Sequence, residues 1–165
     1  MIKKNSKYYF LYLFTVLIIF TLDRLSKLYI INESEKFGDI NISISNFLSL
    51  ILIWNKGIGF GLFSYDSSVF YNLITSLIIL INLIIIYLVV TSDFLRSFFY
   101  VIILGGSLGN LFDRLYYNAV PDFIDLNYAG YHWFVFNVAD IFITLGILCL
   151  ILNEFINYNS KNEKN

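Results

Sequence analysis

The chain has 165 residues, of which 58% are hydrophobic and only 14% are charged, and its mean hydropathy is +0.72. These proportions exclude an ordinary soluble domain and indicate an integral membrane protein. The formal net charge of -1 argues against a nucleic-acid partner, because contact with phosphates requires a basic surface. A single domain covering residues 1–165 is expected.

The first predicted transmembrane helix covers about residues 8–27, since a bilayer core requires roughly 20 mainly apolar residues. Lys3, Lys4 and Lys7 precede it, as basic residues precede the apolar part of a secretory signal peptide. No small-residue cleavage site follows, so the segment is interpreted as an uncleaved helix whose lysines are cytoplasmic.

The first large loop, residues 28–68, contains a pattern typical of strands. Ile40, Ile42 and Ile44 alternate with polar residues before the chain becomes apolar. We expect a small β-sheet at the outer membrane surface.

Three further spans are predicted at about residues 69–90, 97–114 and 136–158, each an apolar stretch between charged residues. An even number of spans makes both termini cytoplasmic and the two larger loops, 28–68 and 115–135, external. Other basic residues that this topology places in the cytoplasm are Arg96, Lys161 and Lys164. The predicted fold is an all-α polytopic membrane protein that carries a small external sheet.

Aspartates gather where the apolar spans meet the external loops. They are Asp23, Asp113, Asp122, Asp125 and Asp140. A charged side chain costs roughly 3 kcal/mol at the centre of a span, and such groups face protein or water rather than lipid. Asp140 has apolar neighbours and no basic residue nearby in sequence, which favours a functional role. A structural role is at least as well supported for Asp113, Asp125 and Arg114, with Asp113 and Arg114 forming an ion pair.

The spacing of polar residues predicts that two helical faces meet near these aspartates. Asn110, Asp113 and Arg114 stand at i, i+3 and i+4, and Asn137 and Asp140 repeat the i, i+3 spacing. Two carboxylates held close together share one proton and so supply a general base and a general acid at the same pH. That chemistry suits metal-free peptide hydrolysis, but spacing alone leaves open which two aspartates pair.

The single histidine and the single cysteine carry no predicted function. His132 lacks companions at metal-ligand spacing, which argues against a zinc site, and Cys149 lies in an apolar run and is interpreted as a packing residue. A structural role is favoured for both. No metal and no organic cofactor are expected.

Five short blocks follow one another along the chain in a distinctive order. They are Asp23-x-x-x-Lys27, the run NKGIGFG from Asn55, the run GGSLGNLFDR from Gly105, VPDF from Val120 and FNVAD from Phe136. In this order, and on four spans, the blocks resemble the lipoprotein signal peptidase (signal peptidase II) family over about residues 10–155.

The resemblance implies that Asp122 and Asp140 are the catalytic pair and that Asp113 is a supporting residue. The family's further polar positions fall on Asp23, Lys27, Asn55, Asn110, Arg114 and Asn137. As a hypothesis, Asn110 and Asn137 orient the two carboxyls and Arg114 holds Asp113 and the helix end. Asn55 and Gly57 would let the backbone of the external loop approach the substrate.

The resemblance also implies an aspartic endopeptidase of the bacterial cytoplasmic membrane with its active site at the external face. Its substrate would be a prolipoprotein whose signal helix enters from the membrane. That substrate would carry a diacylglyceryl group on the cysteine that becomes its new N-terminus. Contact with membrane lipid and action as a monomer are expected.

Three positions depart from the family's usual pattern. Gly59 and Ser107 stand where alanine is common, and Pro121 replaces a frequent valine. The first two changes keep a small residue small. Pro121 fixes φ just before Asp122, so we expect it to stiffen the loop that presents this residue.

Two other functions are weighed against the aspartic peptidase. A serine/lysine peptidase would use Ser26, Ser64 or Ser107 with Lys27 or Lys56, but Ser26 and Lys27 are adjacent on a helix and point about 100° apart. A small transporter or structural membrane subunit would use the aspartates to carry protons or ions. Such a protein would be expected to place charge near the membrane midplane, whereas these aspartates gather at one surface.

Overall fold

The computed structural model describes residues 6–57, 68–128 and 131–162. Its elements in chain order are α1 (Ser6–Phe37), β1 (Asn41–Ser45), β2 (Leu48–Asn55), α2 (Ser68–Thr91), α3 (Phe94–Tyr117), β3 (Val120–Tyr128), β4 (Tyr131–Phe136) and α4 (Val138–Asn162). All four of these helices are long and apolar enough to cross a membrane, which confirms the predicted spans.

Helix α1 ends ten residues later than predicted. The prediction ended it at Lys27 because charged residues begin there, but Asp23 and Lys27 are fully buried inside the helix bundle and do not interrupt the helix. The helix ends at Gly38, which adopts φ +79° and donates its N–H to the carbonyl of Ser34 at 2.9 Å. This left-handed glycine is a common helix terminator.

Helix α3 lies at the centre and packs against each of the other three helices. Small residues make this possible. A Cβ atom at Gly105 would lie 2.9 Å from Ile19, and one at Gly109 would lie 2.5 Å from the Asp23 carboxylate. The prediction that Gly105 and Gly109 allow a neighbouring helix to approach closely is confirmed.

The β-sheet has four antiparallel strands in the order β1-β2-β3-β4. Strands β1 and β2 come from the first large loop, as predicted. Strands β3 and β4 come from the second loop, where no strand was predicted. Residues 120–123 are all buried, so β3 lacks the alternation of apolar and polar residues that identifies a strand.

Pro121 therefore lies in a strand and not in a flexible loop. It is fully buried and is paired with Trp54 of β2. Its place as the second residue of β3 is near the strand start, where the missing N–H is tolerated better than in a strand interior.

Two apolar clusters form the described core. One joins the helices at the end of the bundle away from the sheet through Tyr12, Ile85, Val89 and Val101 among others. The other lies beneath the sheet and contains Ile30, Ile40 and Phe123.

Candidate active site

Asp122 enters the site from β3 and is 4% exposed. Asn55 is paired with Val120, so Asn55 and Asp122 are diagonal neighbours on one face of β2 and β3. The Asn55 Nδ2 donates to Asp122 Oδ2 at 2.8 Å, and the Asn137 Nδ2 donates to Asp122 Oδ1 at 2.6 Å. Both carboxyl oxygens are therefore held by side-chain amides.

Asp140 lies in the first turn of α4 and is held by a reciprocal cap. Asn137 accepts from the backbone N–H of Asp140 at 3.2 Å through Oδ1, while Asp140 Oδ2 accepts from the backbone N–H of Asn137 at 3.1 Å. This arrangement satisfies donors that the start of a helix otherwise leaves unpaired. The other oxygen, Asp140 Oδ1, accepts from Asn110 Nδ2 at 2.8 Å.

Both carboxyl groups line one cavity of about 290 Å³. The other polar residues that line it are Asn55, Ser107, Asn110, Arg114, Asn137 and Thr144. The structure thus brings Asp122 and Asp140 together at the end of the bundle that carries the sheet.

Burial and, to a lesser extent, the nearby charge of Asp140 raise the pKa of Asp122 to about 6. Hydrogen bonds from Asn55 and Asn137 oppose the rise in pKa, because they favour the ionised carboxylate. A carboxyl that titrates near pH 6 is suited to proton transfer close to neutral pH.

Lys27 organises the polar residues beneath the cavity and is fully buried. Its ammonium group donates to Asp23 Oδ2 at 2.8 Å, Asn110 Oδ1 at 2.7 Å and Asp113 Oδ2 at 2.6 Å. These contacts occupy all three donors of the lysine. Asp23 Oδ1 in turn accepts from the backbone N–H of Ala139 at 3.0 Å, which fixes the first turn of α4.

The predicted ion pair between Asp113 and Arg114 is wrong. Asp113 is bound by Lys27 and by Arg24, whose guanidinium lies 2.5 Å from Asp113 Oδ1 and stacks over Phe112 at 5.0 Å. Neighbouring helical residues point about 100° apart, so Asp113 and Arg114 cannot share one direction.

Arg114 instead reaches the end of β2. Its guanidinium donates to the carbonyl of Gly57 and lies 5.5 Å from the Tyr71 ring. The N–H of Gly57 donates to Asn55 Oδ1 at 2.8 Å, so the backbone at this point is held from two sides. Residues 58–67, which include Gly59 and Ser64, lie outside the described part of the chain, as do Lys3, Lys4 and Lys164.

Arg24 is a site residue that the sequence analysis did not single out. It stands between Asp23 and Lys27 in a charged segment of an otherwise apolar helix, and that density of charge was the available signal. Its 9% exposure and its contact with Asp113 place it in the same buried network.

Asp125 lies outside the cavity, because residues an odd number apart in a strand face opposite sides. It accepts from Asn127 Nδ2 at 2.8 Å and contacts His132 Nδ1 at 2.7 Å. The His132 side chain is 58% exposed, and its contact with Asp125 is polar.

Ser26 and Lys27 do not form a serine/lysine pair in the structure. Ser26 donates to the backbone carbonyl of Asp23 at 2.9 Å, and the Lys27 ammonium is bound to the carboxylates of Asp23 and Asp113. Ser107 lines the cavity, but Lys27 is committed to other partners.

Four membrane-spanning helices with a pair of aspartates in a cavity at one end define a membrane aspartic peptidase. Residues 15–156 match the family model of signal peptidase (SPase) II, Peptidase A8. The chain belongs to this signal peptidase II family.

Curated relatives and solved structures agree with this assignment. The lipoprotein signal peptidase of Pelagibacter ubique (strain HTCC1062) is 54% identical over 99% of each chain. That of Anaplasma phagocytophilum (strain HZ) is 39% identical over 83% of this chain and 86% of its own. Two solved structures described as bacterial membrane enzymes have TM-scores of 0.78 and 0.68, with 25% and 27% identity. The match to the first structure covers 93% of this chain and 93% of the chain in that structure. The match to the second covers 86% of this chain and 90% of the chain in that structure.

Proposed function

We propose that this chain, acting as a single domain, removes the signal peptides of diacylglyceryl-modified prolipoproteins by cleaving before the lipidated cysteine. The observation that carries the proposal is the placement of Asp122 and Asp140 at one cavity, each held by its own amide donors. The prolipoprotein substrate follows from membership of the signal peptidase II family.

The proposed reaction uses the two aspartates as a general acid and a general base. One ionised carboxyl takes a proton from a water as that water attacks the scissile carbonyl. The other, protonated carboxyl donates its proton to the carbonyl oxygen. When the resulting diol collapses, this carboxyl recovers a proton from a diol hydroxyl, and the first carboxyl passes the proton taken from the water to the leaving amine. The raised pKa of Asp122 supports the coexistence of one protonated and one ionised group near neutral pH. No metal or organic cofactor takes part in this scheme.

The remaining polar residues position the pair. Asn55 and Asn137 hold Asp122, and Asn110 holds Asp140. Asp23, Lys27 and Asp113 support Asn110 and the start of α4 from below.

Arg114 and Gly57 have a separate proposed role at the cavity edge. Arg114 lines the cavity and fixes the Gly57 carbonyl, so the external loop begins at a defined point beside the substrate.

In the proposed topology, this multi-pass protein of the bacterial inner membrane has both termini in the cytoplasm and its active site at the external face. Tyr8 contacts Phe94 at 4.8 Å between ring centroids, and Arg96 binds Glu154 at 2.8 Å. These contacts gather the start of α1, the start of α3 and the later part of α4 at one end of the bundle. The aspartate pair lies at the other end.

The membrane and the substrate are the proposed partners. Large apolar side chains of the four helices are exposed to the surroundings, which supports contact with lipid. Action as a monomer is part of the proposal.

The purified protein, incubated with a prolipoprotein with and without the diacylglyceryl group, tests the proposal. Cleavage before the cysteine of the modified form only is expected, and the Asp140→Asn protein serves as the inactive control. Equal cleavage of both forms would contradict the proposed requirement for the lipid.

A further inference from the structure

Two hydroxyl groups line the active-site cavity and take no part in the proposed reaction. They belong to Ser107 of α3, which is half-buried, and to Thr144 of α4, which is exposed. We call these two side chains the hydroxyl pair. The side-chain amides that line the cavity already donate to the two carboxyls. Within the described ranges, in contrast, neither member of the hydroxyl pair has a hydrogen-bond partner.

Three helical threonines outside the cavity satisfy their hydroxyls locally. Thr15, Thr75 and Thr91 each donate to the backbone carbonyl four residues earlier in the helix, at 2.9 Å in every case. Thr144 does not form this contact with the carbonyl of Asp140. Its hydroxyl therefore remains able to donate to a molecule that enters the cavity.

The hydroxyl pair lies about one helical turn further into the bundle than the polar groups that flank the reaction. Thr144 follows Asp140 by four residues, about 6 Å along α4, and Ser107 precedes Asn110 by three residues, about 4.5 Å along α3. The two helices run in opposite directions from the end that carries the sheet, so both steps lead inward. Because α3 and α4 are long and apolar enough to span the membrane, the pair lies at a depth where water is scarce.

A peptide that occupies this depth brings backbone carbonyls that need donors. The last four carbonyls of any helix lack a partner within the helix, and an unsatisfied carbonyl in an apolar environment is costly. In the proposed topology, the signal helix of the substrate rises from the cytoplasmic side, so the residues before the scissile bond lie deeper than the bond itself. An extended chain advances about 3.3 Å per residue, so a depth of about 5–6 Å corresponds to roughly two residues. Counted from the scissile carbonyl, this is the third residue before the modified cysteine.

We propose that Ser107 and Thr144 donate hydrogen bonds to the backbone carbonyl of the third residue before the modified cysteine, where the signal helix of the substrate ends. This inference rests on the proposed function and names a further substrate contact in the same cavity. Because the contact is made to the backbone, it does not depend on the side chain at that position of the prolipoprotein. Ser107 stands where alanine is common in the family, so its share of the contact is particular to this chain.

Removal of each hydroxyl tests the proposal. Ser107→Ala and Thr144→Val remove the donors, whereas Thr144→Ser keeps a hydroxyl at the same position. Thr91→Val is the matched control, because Thr91 lies away from the cavity and donates to the carbonyl of Tyr87. The measurements are kcat and KM, at one detergent concentration, for a diacylglyceryl-modified prolipoprotein peptide in two forms. One form has the natural amide after the third residue before the cysteine, and the other has an ester there, whose carbonyl is a weaker acceptor.

We expect Ser107→Ala and Thr144→Val each to raise KM for the amide peptide about fivefold, with kcat within about twofold of wild type. Thr144→Ser and Thr91→Val should keep the wild-type KM. For the ester peptide, the increase in both hydroxyl-free variants should shrink to less than about twofold.

An unchanged KM in both hydroxyl-free variants, or equal increases for the amide and ester peptides, would overturn the proposal. If thermal unfolding shows that Thr144→Val is misfolded, Ser107→Ala decides, since it introduces the residue that is common at this position. Failure of the wild-type protein to cleave the modified amide peptide would instead overturn the proposed function itself.

Discussion

Lys27 Nζ lies 2.7 Å from Asn110 Oδ1, and this contact determines which end of the Asn110 amide faces Asp140. A lysine ammonium only donates hydrogen bonds, so the amide oxygen must face Lys27. The amide nitrogen is then directed to Asp140 Oδ1, to which it donates at 2.8 Å. A residue of α1 thereby orients a proposed catalytic group on α4 through a side chain of α3.

Loss of the Lys27 ammonium should destabilise the protein. Lys27→Met leaves Asp23 and Asp113 in the buried network without this cation, so the free energy of unfolding should fall by about 3–5 kcal/mol. Lys36→Met is the control, since Lys36 is exposed on the same helix and pairs only with Glu33. Its effect should stay within about 0.5 kcal/mol. Equal melting temperatures for the two variants in detergent would contradict the role assigned to Lys27.

The aspartate pair should be essential for cleavage but not for folding. Asn is nearly isosteric with Asp but cannot serve as the base, so Asp122→Asn and Asp140→Asn should each reduce kcat by about 10⁴-fold. The double variant should be no less active than either single one, because residues of one catalytic unit are not additive.

Asp125→Asn and Asp113→Asn are the matched controls for this pair. Neither residue lines the cavity, so both variants should retain measurable cleavage. Substantial turnover by Asp140→Asn would disprove the aspartic mechanism, and an active Asp122→Asn beside an inactive Asp113→Asn would identify Asp113 as the true partner.

The raised pKa of Asp122 predicts a specific dependence of stability on pH. The pKa of Asp122 is about 6 in the folded protein, whereas the ordinary pKa of an aspartate carboxyl is 3.8. Between these two pH values the folded state binds more protons than the unfolded state. The free energy of unfolding should therefore decrease as the pH rises from about 4 to about 6, by up to about 3 kcal/mol, and show no further change from this group above that range. Unfolding of wild type and Asp122→Asn should be compared across this interval. A similar slope in both proteins would show that Asp122 does not cause it.

Arg114→Lys should impair the reaction although it keeps the positive charge. Lysine lacks the planar fork that lets Arg114 bind the Gly57 carbonyl while lying over Tyr71. Loss of a charged hydrogen bond of about 1.5–3 kcal/mol should lower kcat/KM by roughly 10- to 100-fold. Arg96→Lys, at the opposite end of the bundle, is the control and should retain wild-type kcat/KM. A wild-type kcat/KM value for Arg114→Lys would contradict the role proposed for Arg114 at the active site.

The topology can be tested with single cysteine probes after the native Cys149 is replaced by alanine. A probe at Asn41, which is exposed on β1, should react with an impermeant reagent added to intact cells. A probe at Ser160 should react only after the membrane is opened. Labelling of the Ser160 probe in intact cells would reverse the proposed orientation.

The sequence predicted the helices well because apolar runs between charges are a strong signal for membrane spans. It missed the end of α1, since the charged residues at its predicted end are buried against α3 and not in contact with solvent. It also missed β3. A strand that is buried along its first half shows no alternation of apolar and polar residues, and the second residue of this strand is a proline.

The family blocks identified the residues of the site, but not their partners. Asp113 and Arg114 are neighbours in sequence, whereas the actual partners of Asp113 lie on α1, about 90 positions away. Periodicity on one helix indicates which residues share a face, yet it does not show what the neighbouring helix presents to that face. The sequence did not identify Arg24 as a site residue for the same reason.

Asn137 stands between the sheet and α4 and contacts both proposed catalytic aspartates with one amide group, Asp122 through its nitrogen and the backbone of Asp140 through its oxygen. A rotation that exchanges the two ends of this amide would break both contacts at once. One side chain therefore joins the Asp122 carboxyl on β3 to the backbone of the first turn of α4.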